Sequence, residues 1–135
     1  MKKIFMKECK YGVIQFVTVE ECVCTIKDAV HTINNDEYSL KPKRENYWKI
    51  FFSVEGFKFP QIYQFDCSNN ILSKYYTFRK LVLENLKKDI RDFKSIVGLK
   101  VIIEVKKTYT LNNNSNWSSD SIITNMTLFN DEDLS

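Results

Sequence analysis

The sequence predicts a mainly β domain, a five-stranded β-barrel with one helical segment between the third and the fourth strand. Stretches rich in β-branched and aromatic residues alternate with polar, loop-forming stretches. One segment, residues 73–97, instead has its apolar residues three or four positions apart, which is the helical period. A length of 135 residues suits one hydrophobic core. We therefore expect one domain over residues 1–129 and a frayed acidic tail over 130–135.

The first predicted strand follows Gly12. Residues 13–26 contain many β-branched and aromatic side chains and no proline, which predicts one long, bent strand or two short ones. After Ile33 the composition changes to Asn, Asp and Glu and then to a basic cluster of Lys41, Lys43 and Arg44. These residue types predict a long loop that ends at Tyr47.

The second predicted strand, residues 47–54, alternates in character. One side is predicted to face the core and consists of Trp48, Ile50, Phe52 and Val54. The other side is predicted to face outward and consists of Tyr47, Lys49, Phe51 and Ser53. A turn at Glu55 and Gly56, then Pro60, separates it from a third strand over 61–67, in which Tyr63 and Phe65 are predicted to be buried.

The helical segment starts at residues that commonly cap helices, and Ser73 is the last of them. Its predicted buried stripe consists of Tyr75, Phe78, Val82, Leu86, Ile90, Phe93 and Val97. The outer side is basic, and we expect a break near Lys88 and an end at Gly98. Two further strands are predicted after it, one from Leu99 that ends near Tyr109 and one over 121–129, with a polar loop at 111–120 that carries Trp117.

This order of five strands with a helix between the third and fourth is the layout of the OB-fold, a partly open Greek-key barrel. Residues 89–105, DIRDFKSIVGLKVIIEV, resemble the helix, turn and strand of OB-fold single-stranded-DNA-binding-like proteins of phages and mobile elements in low-GC bacteria. The likeness covers 12–129 as layout and 73–105 as sequence pattern. The glycine that commonly opens the loop before the second strand is absent, and this loop is rich in lysine instead.

The resemblance implies non-catalytic binding of single-stranded nucleic acid in a basic and aromatic cleft. OB domains hold oligonucleotides with their first and last interstrand loops, and stacked bases need exposed rings beside cations. The predicted binding residues are Lys41, Lys43, Arg44, Tyr47, Lys49, Phe51, Lys58 and Trp117. For Tyr47 and Phe51 the alternative is packing under the helix or in a dimer contact. The acidic residues 131–133 are similar to partner-recruiting acidic tails, although they end in Leu134 and Ser135; the alternative is a role in solubility.

The charge distribution agrees with a polyanionic partner. The net charge is +3, but residues 73–107 hold ten basic and four acidic residues, whereas 108–135 hold four acidic and no basic ones. Such asymmetry predicts a positive face; a merely solvated helix face is the alternative. Without a C-x-x-C pair, with His31 as the one histidine and with three glycines, the sequence predicts no metal site, no cofactor and no enzyme activity.

We expect a cytoplasmic protein with reduced thiols and no membrane partner, because charged residues interrupt every apolar stretch. A second interpretation is a protein-interaction module, encoded by a phage or plasmid, that inhibits a host defence nuclease directed at nucleic acid. Exposed aromatic residues and a composition rich in Lys, Asn and Ile fit both hypotheses. Formation of a homo-oligomer, the choice between DNA and RNA, and the role of the tail are left open by the sequence.

Overall fold

The computed structural model describes residues 2–9, 13–36, 38, 43–67, 73–111 and 116–130. Within these ranges the strands are β1 (Lys2–Cys9), β2 (Val13–Asp36), β3 (Lys43–Val54), β4 (Gln61–Asp66), β5 (Lys100–Leu111) and β6 (Trp117–Leu128). Helix α1 (Lys74–Leu81) follows β4, continues as a π-helical turn over Val82–Leu86, and is followed by a 3₁₀ turn over Phe93–Ile96. The predicted mainly β fold with one helix is confirmed.

The strands form an antiparallel sheet in the order β4-β3-β2-β5-β6, and β1 pairs with β2. Strand β2 is long enough to pair with three other strands. Its first half pairs with β1 on one edge and with β5 on the other, and its second half pairs with β3. A β-bulge between Ile26 and Asp28 marks the change between the two halves. Bulges bend a strand and increase its twist, so β2 contributes to both ends of the sheet.

The sheet is not closed among the described residues. Strands β4 and β6 end the path, and each pairs on one side only. Instead of a backbone ladder, the Tyr63 hydroxyl accepts a hydrogen bond of 3.2 Å from the Ile123 N–H. The predicted barrel is therefore an open sheet with a gap between β4 and β6.

The core lies on one face of this sheet, under the helical segment. On β3 the predicted alternation is confirmed, since Trp48, Ile50 and Phe52 are buried, and on β4 Tyr63 and Phe65 are buried as expected. The helical segment contributes Phe78, Val82, Leu86, Phe93 and Ile96. The Phe93 ring has its centroid 5.0 Å from that of Trp48 and 5.1 Å from that of Phe78, both in edge-on geometry. Phe93 therefore joins the sheet to α1.

The helical segment is shorter than the predicted 73–97 and is broken. The Ser73 hydroxyl accepts a hydrogen bond of 3.1 Å from the Tyr76 N–H and so caps α1. The helix ends where Lys87 adopts a left-handed conformation with φ of 56°, one residue from the predicted break. Beyond it the predicted stripe is wrong at its last position: Ile96 is buried, while Val97 is 38% exposed.

One additional strand and three strand boundaries differ from the sequence-based prediction. Strand β1 was not expected; β2 continues to Asp36, β3 begins at Lys43, and β6 begins at Trp117. Asn, Asp and Ser disfavour strands on their own, but each extension pairs in register with a neighbouring strand, and that pairing outweighs the intrinsic preference. Residues 131–135 of the predicted acidic tail lie outside the described part of the chain.

None of the helices in the described part of the chain has the length and apolar character needed to cross a lipid bilayer.

Candidate nucleic-acid interface

The face of β3 opposite the core carries a row of two rings and one cation. Tyr47, Lys49 and Phe51 project to the same side because successive strand residues alternate between faces. All three are half-buried, and the Lys49 Nζ lies 5.8 Å from the centroid of the Tyr47 ring. The sequence prediction that these residues share the outward side is consistent with this arrangement.

Neighbouring strands extend this row in both directions. On β2, Val30 pairs with Lys49 and is 38% exposed; on β4, Ile62 pairs with Phe51 and is 56% exposed. We call Val30, Tyr47, Lys49, Phe51 and Ile62 the platform. It offers rings, aliphatic surface and one ammonium group across three adjacent strands.

Two carboxylates border the platform. Asp28 pairs with Phe51 on the β2 side, and Asp66 pairs with Tyr47 on the β4 side. The Asp28 carboxylate accepts a hydrogen bond of 2.8 Å from the Ala29 N–H, which holds it against its own strand. The platform is therefore of mixed charge, and Lys49 is the cation at its centre.

The helical segment covers the other face of the sheet. Phe78 of α1 contacts the rings of Tyr63 and Phe65, both of which are core residues. Among the described residues, no ring contact joins α1 to Tyr47 or Phe51. Packing under the helix is therefore not the role of these two side chains.

The remaining predicted cations lie outside the platform. Lys58 is in the connection from β3 to β4, with its Nζ 5.7 Å from the centroid of the Phe59 ring. Lys43 and Arg44 were expected in a loop but are the first two residues of β3, where they pair with Asp36 and Asn35. Lys41 lies outside the described residues.

Trp117 is not brought to the platform. It was expected in a loop, but it is the first residue of β6 and pairs with Leu111, which in turn pairs with Ile14 near the start of β2. Its ring is 5.7 Å from that of Phe16, on the face of β2 that continues the core side. The register therefore places Trp117 and Arg44 at opposite ends of β2.

Sequence reasoning missed Val30 and Ile62. The signal for Ile62 was present, since Tyr63 and Phe65 were predicted to be buried and the residue between Gln61 and Tyr63 must then face the other way. Val30 carried no such signal, because the bulge before Asp28 changes which residues of β2 face the core.

A second polar group surrounds His31, whose ring stacks on Trp48 at 4.6 Å. The His31 Nε2 lies 2.5 Å from the Asn46 Oδ1 and 3.9 Å from the Cys67 Sγ. In the tautomer in which Nε2 donates to the Asn46 amide oxygen, this nitrogen is no base for the Cys67 thiol. Burial raises the pKa of Cys67, and the Asp66 carboxylate raises it further, while the positive charge of Arg79 lowers it. These contacts do not form an activated nucleophile.

The described part of the chain also contains no group of three or more His, Cys, Asp or Glu side chains placed to hold a metal ion. Cys22, Cys24 and Cys67 are free cysteines. Burial raises the pKa of Cys24 to about 12, which keeps this core thiol protonated at neutral pH.

The chain was compared with protein-family models, with curated proteins and with solved structures. It matches none of them.

Proposed function

We propose that the sheet is an open OB-type Greek-key barrel in which β2 to β6 are the five strands of the fold and β1 is an addition. The pairing supports this assignment, because β2 pairs with β3 and β5, β3 with β4, and β5 with β6. The helical segment lies between β4 and β5 in the chain, as the connector does in that fold. In this proposal the Tyr63 to Ile123 hydrogen bond stands in for the missing closure.

We propose that the platform binds single-stranded nucleic acid. The observation that carries this proposal is the row of Tyr47, Lys49 and Phe51 on the sheet face that α1 does not cover. Such a row suits a flexible single strand, because a ring stacks on any base for roughly 1–3 kcal/mol and a cation contacts the backbone. Lys58, Lys43, Arg44 and Lys41 are proposed to add cations along the path of the strand.

The charge contribution is tested by anisotropy titrations of labelled oligo-dT over a salt series. Lys49→Gln should reduce the slope of log affinity against log salt by about 0.7, because one backbone contact and its displaced counterion are lost. The matched control is Lys80→Gln, which removes an exposed lysine of α1 on the other side of the sheet. Equal changes in both variants, or no binding at low salt, would contradict the proposal.

The stacking contribution is tested with a second matched pair. Phe51→Ala should weaken oligo-dT binding at least about fivefold, because one base loses its stacking partner. Tyr76→Ala removes a ring from α1 that is 40% exposed and should leave the affinity unchanged. Equal losses in both variants would show that the platform is not the site.

A second candidate function has its own observation. At the far end of β2, Trp117 is 56% exposed, Tyr109 is 37% exposed, and the Phe16 ring packs against Trp117. Exposed apolar surface of this kind is typical of protein contacts. We propose, as the alternative, a phage- or plasmid-encoded module that inhibits a host defence nuclease through this end. Pull-downs with wild type and Trp117→Ala, with and without nuclease treatment, distinguish a protein contact from a bridging nucleic acid.

A further inference from the structure

The gap between β4 and β6 opens into a cleft of about 310 Å³. Its existence follows from the position of the helical segment. Lys74 at the start of α1 forms an ion pair of 2.6 Å with Asp120 of β6, whereas the Asn85 side chain, near the end of the helical segment, donates a hydrogen bond of 3.0 Å to the Met126 carbonyl. Ser121 of β6, which lines the cleft, is therefore on the Lys74 side, and there the core face of the sheet lines the cleft instead of packing against α1.

The cleft walls are apolar. Phe52 and Val54 come from β3, Ile103 and Val105 from β5, and Ile123 from β6. At the rim, Phe57 is 61% exposed although it lines the same space. A bound apolar molecule would remove this surface from water, which is favourable by roughly 25 cal/mol for each Å² of apolar area.

One wall of the cleft carries a cation and a thiol. Lys107 of β5 lines it and forms no ion pair with another described residue, and Cys22 of β2, half-buried, lines the same wall four residues further along the β2–β5 ladder. Glu20 is on the same wall, but it takes part in an interaction of its own. Lys107 is therefore the cation that an anionic ligand would meet at this mainly apolar wall, which also carries the Glu20 carboxylate.

We infer that the cleft binds a small amphipathic monoanion, with an aromatic or aliphatic body between β3 and β6 and a carboxylate at Lys107. The volume of about 310 Å³ corresponds to about ten water molecules of the liquid, and sites of this size with a few polar groups are typical of small-ligand pockets. The expected occupant has about ten to fifteen non-hydrogen atoms. The cleft is on the core side of β3, whereas Tyr47, Lys49 and Phe51 are on the other side. Ile62 of β4 borders both the platform and the cleft, but the inference is argued from the core-side residues and does not rest on nucleic-acid binding.

The first experiment titrates the full chain with 2-naphthoate and with its neutral analogue 2-naphthamide by isothermal calorimetry. Wild type should bind the carboxylate about tenfold more tightly than the amide, since an ammonium to carboxylate contact is stronger than a neutral one. Lys107→Gln should remove the preference while amide binding remains. Lys106→Gln, an exposed lysine of β5 on the opposite face, should keep the preference. Equal effects of the two lysine variants, or equal binding of the two probes by wild type, overturns the inference.

The second experiment places the ligand without relying on a variant. N-ethylmaleimide modification of each cysteine is followed by mass spectrometry with and without saturating 2-naphthoate. Alkylation of Cys22 should slow at least about fivefold, because the ligand covers the thiol. Cys67, which lies beside His31 and outside the cleft, is the internal control and should react at an unchanged rate. Equal protection of both thiols, or none at Cys22, overturns the inference.

Discussion

At the scale of single residues, Tyr63 connects the two unpaired edges of the sheet. The side chain is 9% exposed, and its hydroxyl accepts the Ile123 N–H of β6. Burial is the main cause that raises the pKa of Tyr63 to about 12. The hydrogen bond from the Ile123 N–H lowers this pKa, and the nearby Asp120 carboxylate raises it. The phenol is therefore neutral throughout the neutral pH range and acts as a fixed acceptor.

Removing this acceptor should destabilise the fold. Tyr63→Phe keeps the ring but leaves the Ile123 N–H without its partner, at a cost of about 1–2 kcal/mol in the free energy of unfolding. Urea denaturation measures the difference, and Tyr76→Phe is the control because that side chain is 40% exposed. A Tyr63→Phe protein as stable as wild type would show that the bond does not support the sheet.

The raised pKa of Tyr63 also predicts how this difference depends on pH. The unfolded chain releases the phenolic proton near pH 10, whereas the folded chain holds it to about 12. Between these values the folded state binds more protons, so the stability contributed by Tyr63 is complete below pH 10 and is lost as pH rises. The free-energy difference between wild type and Tyr63→Phe should therefore shrink from pH 9 to 12. A constant difference would contradict the assignment.

At the scale of elements, the sequence predicted which face of a strand is buried more accurately than where each strand begins and ends. The alternation of Trp48, Ile50 and Phe52 indicated the core side of β3, because a strand has only two faces and three large apolar residues on one of them determine it. A break in the helix was also expected, near Lys88, one residue from its position at Lys87. The sequence did not indicate how the helix ends, because the left-handed conformation at Lys87 is unusual for a residue other than glycine.

The conformation of Lys87 leads to a stability prediction at this scale. Its φ of 56° places the Cβ in an unfavourable position, so Lys87→Gly should stabilise the protein by about 0.5–1 kcal/mol, even though glycine raises the entropy of the unfolded chain. Thermal and urea unfolding provide the measurement. Lys88→Gly, next in the chain and without a positive φ, is the matched control and should be neutral or destabilising. Stabilisation by both changes, or by neither, would contradict this reasoning.

At the scale of the whole molecule, long-range strand pairing determines which segments form strands and where the candidate binding residues lie. The local sequence does not specify either. Residues 2–9 carry no clear alternation, and they form β1 because β2 offers a free edge opposite β5. The same long-range pairing sets where the candidate binding residues lie. Arg44 pairs with Asn35, and Trp117 is joined through Leu111 to Ile14, so most of β2 separates them. Nothing in the local sequence of either hairpin carries this information.

This separation predicts a dependence on oligonucleotide length. The 22 residues from Ile14 to Asn35 extend over at most about 70 Å of strand, whereas a thymidine hexamer at helical spacing spans about 20 Å. A hexamer centred on the platform cannot reach Trp117, whereas a twenty-nucleotide strand is long enough to do so if it also passes from the platform face to the core-side face on which Trp117 lies. Trp117→Ala should therefore leave hexamer affinity unchanged and weaken the longer strand at least about fivefold, the loss of one stacked base.

Anisotropy titrations of the two oligonucleotides provide the measurement for this last prediction, with Phe51→Ala as the comparison because it should weaken both. If Trp117→Ala weakens the hexamer as much as the longer strand, β2 curves enough to bring its two ends onto one cleft. If it weakens neither, Trp117 does not contact nucleic acid. Its exposed ring beside Phe16 would then fit the protein contact proposed for this end of β2. The ratio of the two affinities thus reports whether the two ends of β2 act on the same nucleic-acid strand.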